Sequence, residues 1–197
     1  MTTLNQLMSY LETWAKPEYA LDWDNCGLQF GDKNATITSI LIALDVDKAT
    51  LEKANQNQYD LIITHHPIFF KGIKKIQRHS DLGQILGMCY TQNTAIYTMH
   101  TNLDAAEGGV NDCLIEAYGL SPKSAKTFTS DNIGKVIKSP KITTKTLTTT
   151  FKCRQVGAPF PEKINKLAFC GGSGKSLLNA MVHQQIPVLV TGEIGYH

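Results

Sequence analysis

The chain has 197 residues, 42% hydrophobic and 18% charged, with 19 Lys and Arg against 17 Asp and Glu. That length suits one domain or two small, closely packed lobes, and it can bury a core without covalent staples. A formal net charge of +2 argues against a polyanion partner, and the longest apolar run, residues 40–44, is far too short to span a bilayer. The opening residues Met1 to Gln6 carry neither the basic nor the long apolar stretch of a secretion signal, so a cytoplasmic protein is expected.

Cys26, Cys89, Cys113, Cys153 and Cys170 are odd in number and form no C-x-x-C pair. They read as reduced thiols packed as small hydrophobes, not as a disulfide framework or a zinc knuckle.

Leu4, Leu7, Met8, Leu11 and Trp14 make one stripe of an amphipathic helix, with Thr3 and Gln6 as a capping box and Pro17 as the stop. A polar, Gly-containing segment, residues 22–27, follows. Residues 37–46 read as a buried strand and 48–57 as a helix. Leu61, Ile62 and Ile63 form a second strand that runs directly into His65 and His66. Helical spacing returns over 80–92, a third strand covers 95–99, and a helix covers 110–118. Residues 121–165 are rich in Lys, Ser and Thr and read as a connecting insert, with 143–150 β-prone. A strand at 166–170, a helix at 176–185 and a strand at 187–190 complete the pattern. Strands alternating with helices predict an α/β protein with a parallel or mixed sheet, and sites in such sheets lie beyond the carboxyl ends of strands. The polar clusters at 64–66 and 100–104 fall at those ends.

His65 and His66 suit first-row metals. Neighbouring strand residues point to opposite faces, so both serve one site only where the strand has ended; otherwise each binds a different metal of a pair, or the two form a hydrogen-bonded turn. Asp104 lies just past a buried strand, where a carboxylate can bridge two ions about 3.5–4 Å apart. His100 reads as an orienting or structural group rather than a ligand. Gly-Lys-Ser at 174–176 resembles the end of a phosphate-binding loop, but Phe169 stands where the first glycine of that motif belongs, leaving a tight strand–helix turn. Glu193 and His197, four residues apart, would share a face only if helical, which Gly195 disfavours. His79 and His183 read as surface residues. Lys71, Lys74, Lys75 and Arg78 form a local basic run, read as a solvated face.

The segments Asp24-Asn25-Cys26-Gly27-Leu28-Gln29-Phe30-Gly31-Asp32, Thr64-His65-His66-Pro67, His100-Thr101-Asn102-Leu103-Asp104, Gly171-Gly172-Ser173-Gly174 and Thr191-Gly192-Glu193 occur in this order. The set resembles the GTP cyclohydrolase I type 2 homologue family (Nif-three-like proteins) over roughly residues 4–197. The resemblance implies two related α/β lobes with mixed sheets and helices on their faces, and a dinuclear metal site in the cleft between them. On that basis residues 1–120 form the first lobe, 121–165 the insert and 166–197 an incomplete second lobe. It also implies a toroidal homohexamer. His65 and His66 match the paired histidine ligands of the family and Asp104 its bridging carboxylate, holding two divalent ions of the Zn, Fe or Mn class. Family members add a His-x-x-x-Glu pair further on; this sequence stops at His197, so the resemblance implies that those two ligands are absent, and nothing in the sequence requires Glu193 and His197 to replace them.

The functional expectation is a metal-dependent hydrolase acting on a nucleotide-like substrate through a metal-activated water, similar to a GTP cyclohydrolase, with Glu193 moving protons. The alternative is a non-catalytic metal carrier, assembly or regulatory protein. Weak, scattered charge argues against nucleic acid, and nothing in the sequence suggests a membrane partner.

Overall fold

In the computed structural model, which describes residues 1–157, 159 and 161–195, the chain divides into two compact units, Met1–Ala106 and Glu107–His197. The first begins with a short strand β1 (Thr2–Thr3) and helix α1 (Leu4–Trp14). Thr3 accepts from the Gln6 backbone N–H while the Gln6 side chain accepts from the Thr3 N–H, which is the expected capping box. Next come β2 (Gly27–Phe30), β3 (Thr36–Ile37), β4 (Ile40–Ala43), α2 (Lys48–Gln56), β5 (Leu61–Thr64), α3 (Asp81–Gln92), β6 (Ala95–Thr98) and α4 (Thr101–Ala105).

The main sheet of this unit has the order β2-β6-β5-β4, with β4, β5 and β6 parallel and β2 antiparallel at one edge. The strand β2 lies partly in the segment that composition marks as polar and turn-like. It pairs with β6 and leaves through Gly31, whose φ of +127° and close approach to Ala95 leave no room for a side chain. Both faces of the sheet are covered over the central strands β5 and β6, while Ile40 and Ile42 of the edge strand β4 are exposed. On one face, Leu4 and Met8 of α1 pack with Ile37, Leu61, Ala95 and Tyr97; on the other, Leu51 and Ala54 of α2 and Cys89 of α3 pack with Ile62 and Ile96. Central strands covered on both sides need continuous apolar runs, which is why Leu61-Ile62-Ile63 and Ala95-Ile96-Tyr97 show no alternation.

The second unit contains α5 (Val110–Ala117), β7 (Ala125–Thr127), β8 (Lys135–Lys138), α6 (Thr144–Thr149), β9 (Lys166–Ser173), α7 (Leu178–His183) and β10 (Val188–Glu193). Its sheet order is β10-β9-β8-β7, with β10 and β9 parallel and the other pairs antiparallel. The structure thus has mixed sheets with helices on their faces in both units. The division falls at Ala106, ahead of the expected residue 120, because Ile115 of α5 packs with Leu147, Leu167, Phe169 and Val188. Residues 121–165 contribute two strands and a helix to this unit. The β-prone stretch 143–150 is helical: the Thr143 hydroxyl accepts from the Thr146 N–H, and Leu147 enters the core. The Gly-rich stretch continues β9 to Ser173 and turns through a 3₁₀ segment, Lys175–Leu177, into α7, as a strand–helix turn.

No disulfide links the described cysteines, and Cys89 and Cys170 are buried. Among the described residues, no helix is long and apolar enough to cross a membrane.

Candidate metal centre

The register of the first sheet builds the site. Thr64 pairs with Thr98 at the carboxyl ends of β5 and β6, and their buried hydroxyls lie 2.8 Å apart. His65 and His100 follow directly. The strand ends at Thr64, yet the His65 and His66 N–H groups still donate to the carbonyls of Ala43 and Leu44. With the pleat ended, both rings serve one place: their centroids lie 5.1 Å apart. His100 completes the group, with centroids 5.0 Å from His65 and 5.6 Å from His66. One ring nitrogen from each of the three lies within 4.8 Å of the other two.

Each imidazole is fixed through Nδ1. His65 Nδ1 is 3.0 Å from the Met99 carbonyl oxygen, His66 Nδ1 2.8 Å from Asp45 Oδ1 and His100 Nδ1 2.9 Å from Asp24 Oδ1. A carbonyl only accepts, so His65 carries its proton on Nδ1 and presents the lone pair of Nε2. The carboxylates impose the same tautomer on the other two, the arrangement by which outer groups orient metal-binding histidines. Burial lowers the affinity of His65 for a second proton, and its two neighbouring imidazoles add to this while Asp104 opposes it.

Asp104 stands one helical turn after His100, and its N–H donates to the His100 carbonyl. Its Oδ1 lies 3.8 Å from His65 Nε2. Burial raises its carboxyl above the ordinary range, opposed by His65 and His100. Asp24 behaves oppositely. Burial pushes its carboxyl up, but hydrogen bonds from His100, Thr101 and Cys26 outweigh that and hold it well below the usual carboxylate range. Its Oδ2 accepts from the Thr101 N–H at 3.0 Å, from the Thr101 hydroxyl and from the Cys26 thiol at 3.0 Å. The Cys26 thiol is pushed up to about 11 by burial and the adjacent carboxylate.

Three clustered imidazoles, each hydrogen-bonded through Nδ1, and a nearby carboxylate form a donor set that fits a first-row divalent ion. The His65, His66 and His100 group can hold a metal ion. His65, His66 and Asp104 are thus gathered at one place, and His100, expected as an orienting or structural group, joins the two histidines with a ring nitrogen of its own. Glu193 is exposed at the end of β10 in the second unit. His197 lies outside the described residues. His79 and His183 are exposed. Sequence reasoning assigned no role to Asp24 or Asp45; they orient histidines at separations of 76 and 21 residues, which no local spacing reveals.

Fold and site together define a two-unit α/β protein with a cluster of three histidines at strand ends that could hold a metal ion. The chain belongs to the Duf34/NIF3 (NGG1p interacting factor 3) family, whose model matches residues 2–197. It is 30% identical to the GTP cyclohydrolase 1 type 2 homolog of Clostridium acetobutylicum over 213 residues, covering 98% of this chain and 77% of that one. Identity to the namesake of Bacillus subtilis is 38% over 126 residues, covering 63% of this chain and 34% of the relative. Among solved structures, reduced HcgD from Methanocaldococcus jannaschii aligns with a TM-score of 0.81 at 25% identity, over 100% of this chain and 80% of that one. A Bacillus cereus protein related to NIF3 shares the fold, with a TM-score of 0.83 at 22% identity, over 100% and 84% of the two chains.

Proposed function

We propose that the protein is a metal-dependent hydrolase acting on a nucleotide-like substrate, with His65, His66, His100 and Asp104 as its ligand set. The observation that carries this is the common Nδ1 anchoring of three convergent imidazoles, which prepares their Nε2 lone pairs before any ion arrives. A bound divalent ion supplies Lewis acidity and lowers the pKa of water. The chain's own contribution is orientation: Met99, Asp45 and Asp24 fix the rings, and the buried Asp104 places negative charge beside them. The name carried by the clostridial and bacillar relatives supports a GTP-like substrate. We assign two ions, a proton-transfer role for Glu193 and a homohexameric ring to the same reading.

Metal-loaded protein is expected to turn over GTP or another member of a nucleotide panel, and His65→Ala to abolish that turnover. Elemental analysis of native protein should find bound first-row metal, and sedimentation a six-chain species. Turnover that survives both chelation and His65→Ala would sink the proposal. A second reading, a non-catalytic metal-binding protein that recruits a partner, is favoured by the family's description as an interacting factor. It predicts stoichiometric metal with no turnover and metal-dependent capture of the partner.

A further inference from the structure

Two large aromatic side chains stand exposed beside the histidines, and neither belongs to a hydrophobic core. Trp23, in the turn from Leu21 to Asp24, is 60% exposed, and its ring lies 6.0 Å from His100 at 72°. Phe70 is 51% exposed, lies 5.7 Å from His100 at 87° and also approaches His66 at 6.5 Å. Asn25 couples the two. Its backbone N–H donates to Asp24 and its side-chain amide donates to the Phe69 carbonyl at 2.8 Å. One residue therefore fixes both the turn that bears Trp23 and the backbone that bears Phe70.

Phe70 opens a strap held at both ends. Beyond the Phe69 anchor, the next fixed point is Gln77, whose carbonyl accepts from the Ser80 N–H and hydroxyl. That carbonyl sits where a Cβ on Gly83 would come within 2.0 Å, so only glycine lets α3 approach it. The strap carries Lys71, Lys74, Lys75 and, just past Gln77, Arg78, all exposed, and none of these forms an ion pair with the described residues. Four unpaired cations on a strap that begins at the site create a positive potential there, although the chain as a whole is nearly neutral.

We propose that Trp23 and Phe70 form a stacking platform for a planar ring, and that the 71–78 strap binds the phosphates attached to it, so the site takes a phosphorylated aromatic heterocycle. Aromatic faces accept any base, while flexible lysines take phosphate as point charges. The proposal rests on the histidine cluster being the reacting centre, and it assigns recognition to residues that hold no metal.

The test uses Trp14→Phe protein, which leaves Trp23 as the only tryptophan, titrated metal-free with GTP, guanosine and tripolyphosphate. GTP should quench Trp23 emission saturably, with guanosine binding more weakly and tripolyphosphate binding without quenching. Phe70→Ala should weaken GTP about tenfold and leave tripolyphosphate unchanged. Lys74→Ala/Lys75→Ala should weaken GTP and tripolyphosphate alike and flatten the salt dependence of both. Circular dichroism of each variant reports folding, and all four changed positions, Trp14, Phe70, Lys74 and Lys75, are exposed. Saturable GTP binding that ignores Phe70→Ala, or no quenching at all, overturns the stacking platform. If metal-loaded protein turns over a nucleotide with an unchanged KM in Phe70→Ala, the hydrolase reading stands and this one falls. Quenching and Phe70 dependence without turnover give the reverse.

Discussion

Asp24 gathers several interactions at one side chain. One carboxylate oxygen fixes the His100 ring, and the other accepts from the Thr101 backbone, the Thr101 hydroxyl and the Cys26 thiol. These bonds set the start of α4 and hence the position of Asp104. Asp24→Ala should therefore lower Zn²⁺ affinity about 10- to 100-fold, as loss of an orienting partner does. Asp45→Ala should cost less, because that carboxylate is 61% exposed and water can replace it at His66. Competitive chelator titration of both variants checks the order, and equal losses would contradict it. Asp24 also shows what lies beyond linear reading. The segment around it is recognisable as a motif, but its chemistry depends on a contact across 76 residues.

At the scale of elements, β4 and β5 must register so that the His65–His66 corner meets the end of β4. Asp60 sets this register. Its Oδ2 accepts from the Thr38 N–H at 2.7 Å, the Thr38 hydroxyl at 2.7 Å and the Ser39 N–H at 3.0 Å, clamping the turn before β4 to the start of β5. Burial raises its carboxyl, but these bonds prevail and hold it below the ordinary value. A folded-state pKa below the unfolded one adds stability that is present above about pH 4 and lost as pH falls through the folded value. Asp60→Asn should thus destabilise by about 1 kcal/mol at pH 7, with a smaller gap at pH 3. Urea midpoints at the two pH values check this, and a gap of the same size at both would refute the clamp. Elements whose signals are local are legible without coordinates. The apolar stripe and capping box of α1 and the continuous runs of β5 and β6 state their roles directly. Elements decided by tertiary contact are not. The α6 helix forms from a Thr-rich stretch because a cap and Leu147 override β propensity, and β2 is a strand because it completes the edge of β6.

For the molecule as a whole, the separation of cores decides what depends on what. All four proposed ligands, their anchors Met99, Asp45 and Asp24, and the aromatic pair Trp23 and Phe70 belong to the unit Met1–Ala106. That unit has its own four-stranded sheet, with β5 and β6 covered on both faces by cores drawn from its own helices. The composition of residues 121–165 suggests a connector, but their apolar minority, Ile137, Ile142, Leu147 and Ile164, sits in the core of the second unit. A bilobed reading from motif order is therefore right about the number of lobes, while their boundary follows from packing that motif order does not show. A fragment of residues 1–106 should fold on its own, with a cooperative thermal transition and the circular dichroism of a mixed α/β domain. It should bind Zn²⁺ through the histidine cluster, and His66→Ala in the same fragment should weaken that binding. Loss of both the transition and the Zn²⁺ binding would show that the first core depends on the second unit. A folded fragment with no Zn²⁺ affinity would instead mean that ligands outside residues 1–106 are indispensable, and the assignment of the metal centre to the first unit would have to be abandoned.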